Sequence, residues 1–142
     1  MMRFISIFGL LLIAVTLKAQ QPAVEKEIAV GMLVKIMPCK GGKKAFESMD
    51  SYRKTRIIPG QAVIDTATGD GVFENFFSPG DFDTKRLACE YGNKKYKVAA
   101  LRVFDDEKTG KEKRVMILYT KDPFTMIWVE FDKAVELKEI EF

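Results

Sequence analysis

Residues 95–131, KYKVAALRVFDDEKTGKEKRVMILYTKDPFTMIWVEF, decide how this chain folds. They contain three β-prone runs, at 96–104, 114–120 and 124–131. The first connector is polar with Gly110 near its middle, and the second is Lys121-Asp122-Pro123. Both connectors have the chemistry of hairpin turns. Neither face of these runs is polar: Val115, Ile117 and Tyr119 point one way in an extended chain, Met116 and Leu118 the other. Strands apolar on both faces must be covered on both faces. The expected fold is therefore mainly β, with α+β as the variant: a small antiparallel barrel or sandwich of about six to eight strands with one short helix as a lid.

Working outward, the amino terminus has a different character. Arg3 supplies a positive start, residues 4–15 are an apolar run with Ser6 as its one polar residue, and Ala19 offers a small residue for cleavage. This is the pattern of a secretory signal peptide over residues 1–20. Its apolar run falls short of the roughly 20 residues that span a bilayer, so no membrane span is expected after processing. Residues 21–142 then form one globular β-rich domain, secreted or periplasmic in a bacterial envelope.

The full chain has 23 basic and 20 acidic residues, and removal of Arg3 and Lys18 with the leader leaves 21 against 20. So small a net charge does not support nucleic-acid binding. The two cysteines, Cys39 and Cys89, both lie beyond the leader. An oxidising destination pairs them, closing a loop worth roughly 4 kcal/mol in the chain-entropy picture. With no histidine anywhere, two thiols make a poor metal set, and no metal or other cofactor is expected.

The segment before the first cysteine is ambiguous. Val24, Ile28, Met32 and Ile36 recur at helical spacing, while Ile28, Val30, Met32, Val34 and Ile36 alternate as on a strand. Its β-branched content and Gly31 favour a strand over 25–37. At 43–54, Phe46, Met49 and Tyr52 fall three apart and predict a short helix. Residues 56–65 read as a strand bent at Pro59-Gly60, followed by a glycine-rich turn and a returning strand from Val72 to Phe77. A further strand is expected over 86–91, with Gly92-Asn93 as the turn into the central runs. The acid-rich end, 135–142, reads as an edge strand protected by its charges, with a terminal helix as the alternative.

No motif here dictates a chemistry. The lack of histidine removes the usual general base and excludes histidine-dependent hydrolases. Asp65, Asp70, Glu74, Asp81 and Asp83 gather around one hairpin, and a suitably spaced pair could serve as acid and base on a glycoside. The glycine turn fails both as an EF-hand loop and as a phosphate cradle. Phe73, Phe76, Phe77 and Phe82 form the densest aromatic stretch beyond the leader. The leading expectation is a non-catalytic exported binding or interaction domain, contacting an envelope glycan or another protein through Phe76, Phe77 and Phe82 with Asp81 and Asp83. A carboxylate-dependent glycan hydrolase and a carrier of a small apolar ligand are the alternatives.

Overall fold

The three central runs pair as successive antiparallel hairpins, and the rest of the sheet grows outward from them. In a computed structural model describing residues 27–56, 64–78 and 81–142, the strands are β1 (Leu33–Ile36), β2 (Ala45–Lys54), β3 (Phe82–Ala88), β4 (Lys94–Asp105), β5 (Glu112–Tyr119), β6 (Thr125–Glu130) and β7 (Ile140–Glu141), with one short α-helix, α1 (Phe131–Glu136). The order across the sheet is β3-β2-β6-β5-β4-β1-β7, each pairing antiparallel. The sheet curls into a half-barrel. The leader expected at 1–20, and residues 57–63 of the bent strand expected at 56–65, lie outside the described residues. Arg56, Ile64 and Asp65 themselves are not in a strand.

Turn chemistry sets the register of the central hairpins. In the β4–β5 turn the Asp106 carboxylate accepts from the Lys108 amide at 2.9 Å, and Gly110 takes the positive φ of 67° that glycine tolerates best. In the β5–β6 turn Asp122 accepts from the Phe124 amide at 2.9 Å and the Thr125 hydroxyl at 2.8 Å. These local bonds satisfy backbone that has left the ladder.

Alternation then divides the apolar side chains between two faces. Val34, Ile36, Phe46, Met49, Leu87, Val98, Met116, Leu118, Ile127, Val129 and Ile140 form one buried cluster with Ala134 of α1. All seven strands contribute, as the inside of a curled sheet requires. Val115, Ile117, Met126, Ala99 and Ala100 project from the opposite, outer face, where Val72, Phe73 and Phe76 cover them. The two-sided apolarity of the central strands thus has a physical counterpart: each face has its own core. Cys39 and Cys89 form the disulfide, with Cα atoms 5.5 Å apart. It fastens the segment after β1 to the end of β3.

Four local expectations need correction. Residues 43–54 are not a helix but contain β2, and the reason is a bulge between Ala45 and Asp50. Strand β2 advances five residues there while β3 advances two, and this odd excess flips the side-chain parity, so Phe46 and Met49 reach the same core although they are three apart, imitating helical spacing. Val72–Phe77 is not a strand but a π-helix. Val72, Phe73 and Phe76 share its buried side, a spacing that strand parity cannot produce. At 86–91, β3 stops at Ala88 and a 3₁₀ turn, Cys89–Tyr91, follows. At 25–37, only Leu33–Ile36 is strand. Upstream, Gly31 has φ 89°, and the Met32 amide closes a turn on the Ala29 carbonyl at 3.2 Å.

The carboxyl end combines the two alternatives. Helix α1 comes first, and the two-residue β7 then takes the sheet edge beside β1. Between them the buried Glu139 carboxylate accepts from the amides of Glu47 at 2.9 Å and Ser48 at 3.1 Å, and from the Ser48 hydroxyl. Those amides belong to the bulged part of β2, which lies before its pairing with β6 begins at Met49. A side chain distant in sequence supplies the partners that the ladder lacks there.

Candidate binding surfaces

The segment from Ile64 to Phe77 is laid across the outer face by two glycines. At Gly69, φ 77°, an added Cβ would lie 2.5 Å from the Ala99 carbonyl oxygen, so only glycine permits this approach to β4. Ala99 and Ala100, both small and both turned outward by the irregularity between Val98 and Ala100, leave the room. Gly71, φ 87°, opens the π-helix.

The helix delivers phenylalanines to a cluster with Tyr52, Phe82, Phe104 and Trp128. Trp128 lies at the centre, its ring 5.4 Å from Phe77, 5.7 Å from Tyr52, 5.9 Å from Phe104 and 6.0 Å from Phe73. Phe82 packs 5.7 Å from Phe76 and 5.8 Å from both Phe77 and Tyr52. The structure therefore brings together Phe76, which is buried, with Phe77 and Phe82, which are half-buried. Asp81 and Asp83 are exposed beside them. The Asp81 carbonyl accepts from the Thr55 amide and hydroxyl, and Asp83 pairs across the ladder with Arg53.

On the other side of Phe76 a cleft of about 710 Å³ opens between this cover and the ends of β2, β4, β5 and β6. Such a volume suits a small organic molecule. Ile64, Phe76, Met126 and Pro123 give it apolar walls, and Lys54, Lys97 and Lys121 surround them. The Lys54 ammonium donates to the Asn75 carbonyl at 3.1 Å and lies 4.8 Å from the Phe76 ring centre. Burial lowers its pKa below the ordinary lysine value. Tyr119 also lines the cleft, and its hydroxyl is buried with no hydrogen-bond partner among the described residues. Burial first, and then the charge of Asp65, raises the phenol above its ordinary value, so at neutral pH it is a protonated donor.

Two of the carboxylates considered for catalysis, Asp65 and Glu74, are engaged elsewhere. Asp65 accepts from the Ala67 amide at 2.8 Å, a local turn bond. Glu74 is paired with Arg102, whose hydrogen bond is the first cause of its lowered pKa. Among the described residues Asp122 is the only carboxylate lining the cleft, where it serves its own turn, and no carboxyl pair faces across it. Among the described residues no group of acids and thiols is placed to hold a metal ion, and no helix is long and apolar enough to cross a membrane.

A second depression, about 570 Å³, lies on the inner side of the curl between β4 and α1, lined by Ile28, Leu101, Val103, Phe131, Val135 and Phe142. Leu101, Val103 and Val135 are among the exposed large hydrophobics. Its Arg114 is paired with Asp132 and lies 4.7 Å from the Phe131 ring centre. Among the described residues no buried polar side chain without a partner lines this depression.

Sequence reasoning selected Phe76 but passed over Tyr119, Lys97 and Lys121. The parity of Tyr119 with Ile117 was readable; the burial of its hydroxyl without a partner among the described residues required the fold. No family model, curated protein or solved structure matches this chain.

Proposed function

We propose that the protein is an exported, non-catalytic binding domain that holds a small ligand in the outer-face cleft. The observation that carries this reading is the buried, unpartnered Tyr119 hydroxyl within a cleft of ligand size. A buried polar group left unsatisfied costs about 1–3 kcal/mol, and a ligand that accepts its hydrogen bond recovers that loss. The disulfide is compatible with an oxidising compartment outside the cytoplasm, which supports export. Phe76 forms a wall of the site, while Phe77 and Phe82 brace that wall from behind. Asp81 and Asp83 are not among the lining residues.

Amide chemical shifts measured during titration with a mixed library of small polar and apolar compounds test this reading. Hits are expected to move Asn75, Lys97, Tyr119 and Thr120 together. Thr66→Trp, a change at an exposed residue of the cleft, is expected to abolish those shifts while the spectrum remains that of a folded protein. Shifts gathered instead around Leu101, Val103 and Val135 would reject the outer cleft as the site.

One observation favours a second reading, in which an envelope glycan or partner protein contacts the aromatic cluster directly: Tyr52, Phe77, Phe82, Phe104 and Trp128 are all only half-buried. Loss of partner binding on Phe77→Ala, with the small-molecule shifts at Tyr119 retained, would select it.

A further inference from the structure

We infer that the ligand of the outer cleft is a small carboxylic acid with an apolar body, bound with its carboxylate at Tyr119 and the neighbouring lysines. This rests on the cleft being the binding site, and it adds the chemical class. Among the described residues three lysines line the cleft against one carboxylate, Asp122, and that carboxylate already accepts from the Phe124 amide and the Thr125 hydroxyl. Lys97 and Lys121 take part in none of the ion pairs among the described residues. Lysines thus outnumber carboxylates around the cleft, an excess that attracts an anion, with Lys54 half-buried and Lys97 and Lys121 exposed. Asp65 lies near enough to act on Tyr119, but its Oδ1 is held by the amides of Ala67 and Thr68.

Tyr119 refines the choice. A neutral phenol both donates and accepts, but among ammonium groups the productive arrangement is donation to an anionic oxygen, a charge-assisted bond shorter and stronger than a neutral one. Thr66, Asn75, Thr120 and Thr125 add polar groups to the lining, but a bare inorganic anion would leave the apolar side chains of Ile64, Phe76, Met126 and Pro123 unused. Their contribution is apolar area, worth about 25 cal/mol for each Å² removed from water. A carboxylate head with a hydrocarbon body uses both parts of the site. Aliphatic and aromatic acids share this chemistry, and the cleft's volume accommodates either.

Calorimetric titration at low salt with octanoate, phenylacetate, octanol and inorganic phosphate tests the inference, with amide shifts recorded in parallel. Octanoate, phenylacetate or both are expected to bind at least tenfold more tightly than octanol and than phosphate, moving the Tyr119 and Lys97 amides. The better acid identifies the body as aliphatic or aromatic. Tyr119→Phe is expected to weaken that acid by about five- to tenfold, equivalent to roughly 1–1.4 kcal/mol, and to leave octanol unchanged. Lys97→Met is expected to weaken the acid and flatten its salt dependence. Octanol binding in the cleft as tightly as the acids would overturn the carboxylate while leaving the cleft as a binding site. Phosphate binding as tightly as the acids would overturn the apolar body. An unchanged acid affinity in a folded Tyr119→Phe would overturn the role of the phenol. Absence of any cleft shift with all four probes would overturn the inference, and the cleft itself falls only if the wider library also leaves those amides unmoved.

Discussion

The two faces of the sheet are made by the same strands, yet their buried polar groups are treated in opposite ways. At the rim of the inner core, the buried carboxylate of Glu139 accepts three hydrogen bonds, two of them from backbone that a bulge has taken out of the ladder. On the outer face, the buried hydroxyl of Tyr119 has no partner among the described residues. A partially polar interior is stable only when its groups are paired. The difference teaches that the polar group at the inner rim is satisfied by the fold, whereas the one on the outer face is left with a donor to spare, the donor to which we assign the ligand.

The largest effect that would break this comparison lies at Glu139. Glu139→Ala removes the acceptor of three donors in a buried position, and its unfolding free energy is expected to fall by about 3 kcal/mol, since a hydrogen bond to a charged group contributes about 1.5–3. Denaturant titration with an unchanged slope would measure it. A loss below about 1 kcal/mol would mean that water replaces the carboxylate and that the inner rim is no better satisfied than the outer face.

Phe82→Ala sharpens the contrast at intermediate size. The ring packs against Tyr52, Phe76 and Phe77 and is half-buried, so a loss of about 2 kcal/mol is expected from apolar area and ring contacts. Ligand-induced shifts at Tyr119 should persist, because Phe82 does not line the cleft. A stable Phe82→Ala that no longer contacts a glycan or protein partner would instead move the functional surface to the aromatic cluster.

What could be read from the chain follows from how local each cause is. The strands β4, β5 and β6 were legible because their two-sided apolar runs and turn residues lie next to each other in sequence, as was the disulfide, since only two cysteines exist. Strand β2 was misread because its bulge placed Phe46 and Met49 on one face at three-residue spacing. That bulge is supported by Glu139, some 90 residues away, and no window around residue 46 contains it. The π-helix was hidden for a related reason: Val72–Phe77 is β-prone by composition, but its shape is set by Gly69 approaching Ala99 and by the sheet beneath. Of the candidate site, Phe76 was visible as part of an aromatic run. The lysines that join it come from β2, β4 and the β5–β6 turn, and only the folded sheet brings them to one cleft.

The smallest expected effect is also the most direct test of the central claim. Thermal unfolding of Tyr119→Phe in the absence of ligand removes one oxygen atom and nothing else. If the hydroxyl is buried without a partner, the midpoint stays the same or rises, since deleting an unsatisfied group relieves its desolvation cost. A fall of about 5 °C or more, the equivalent of roughly 1 kcal/mol in a domain of this size, would show that the fold itself already satisfies Tyr119, and the outer cleft would lose its claim to be a binding site.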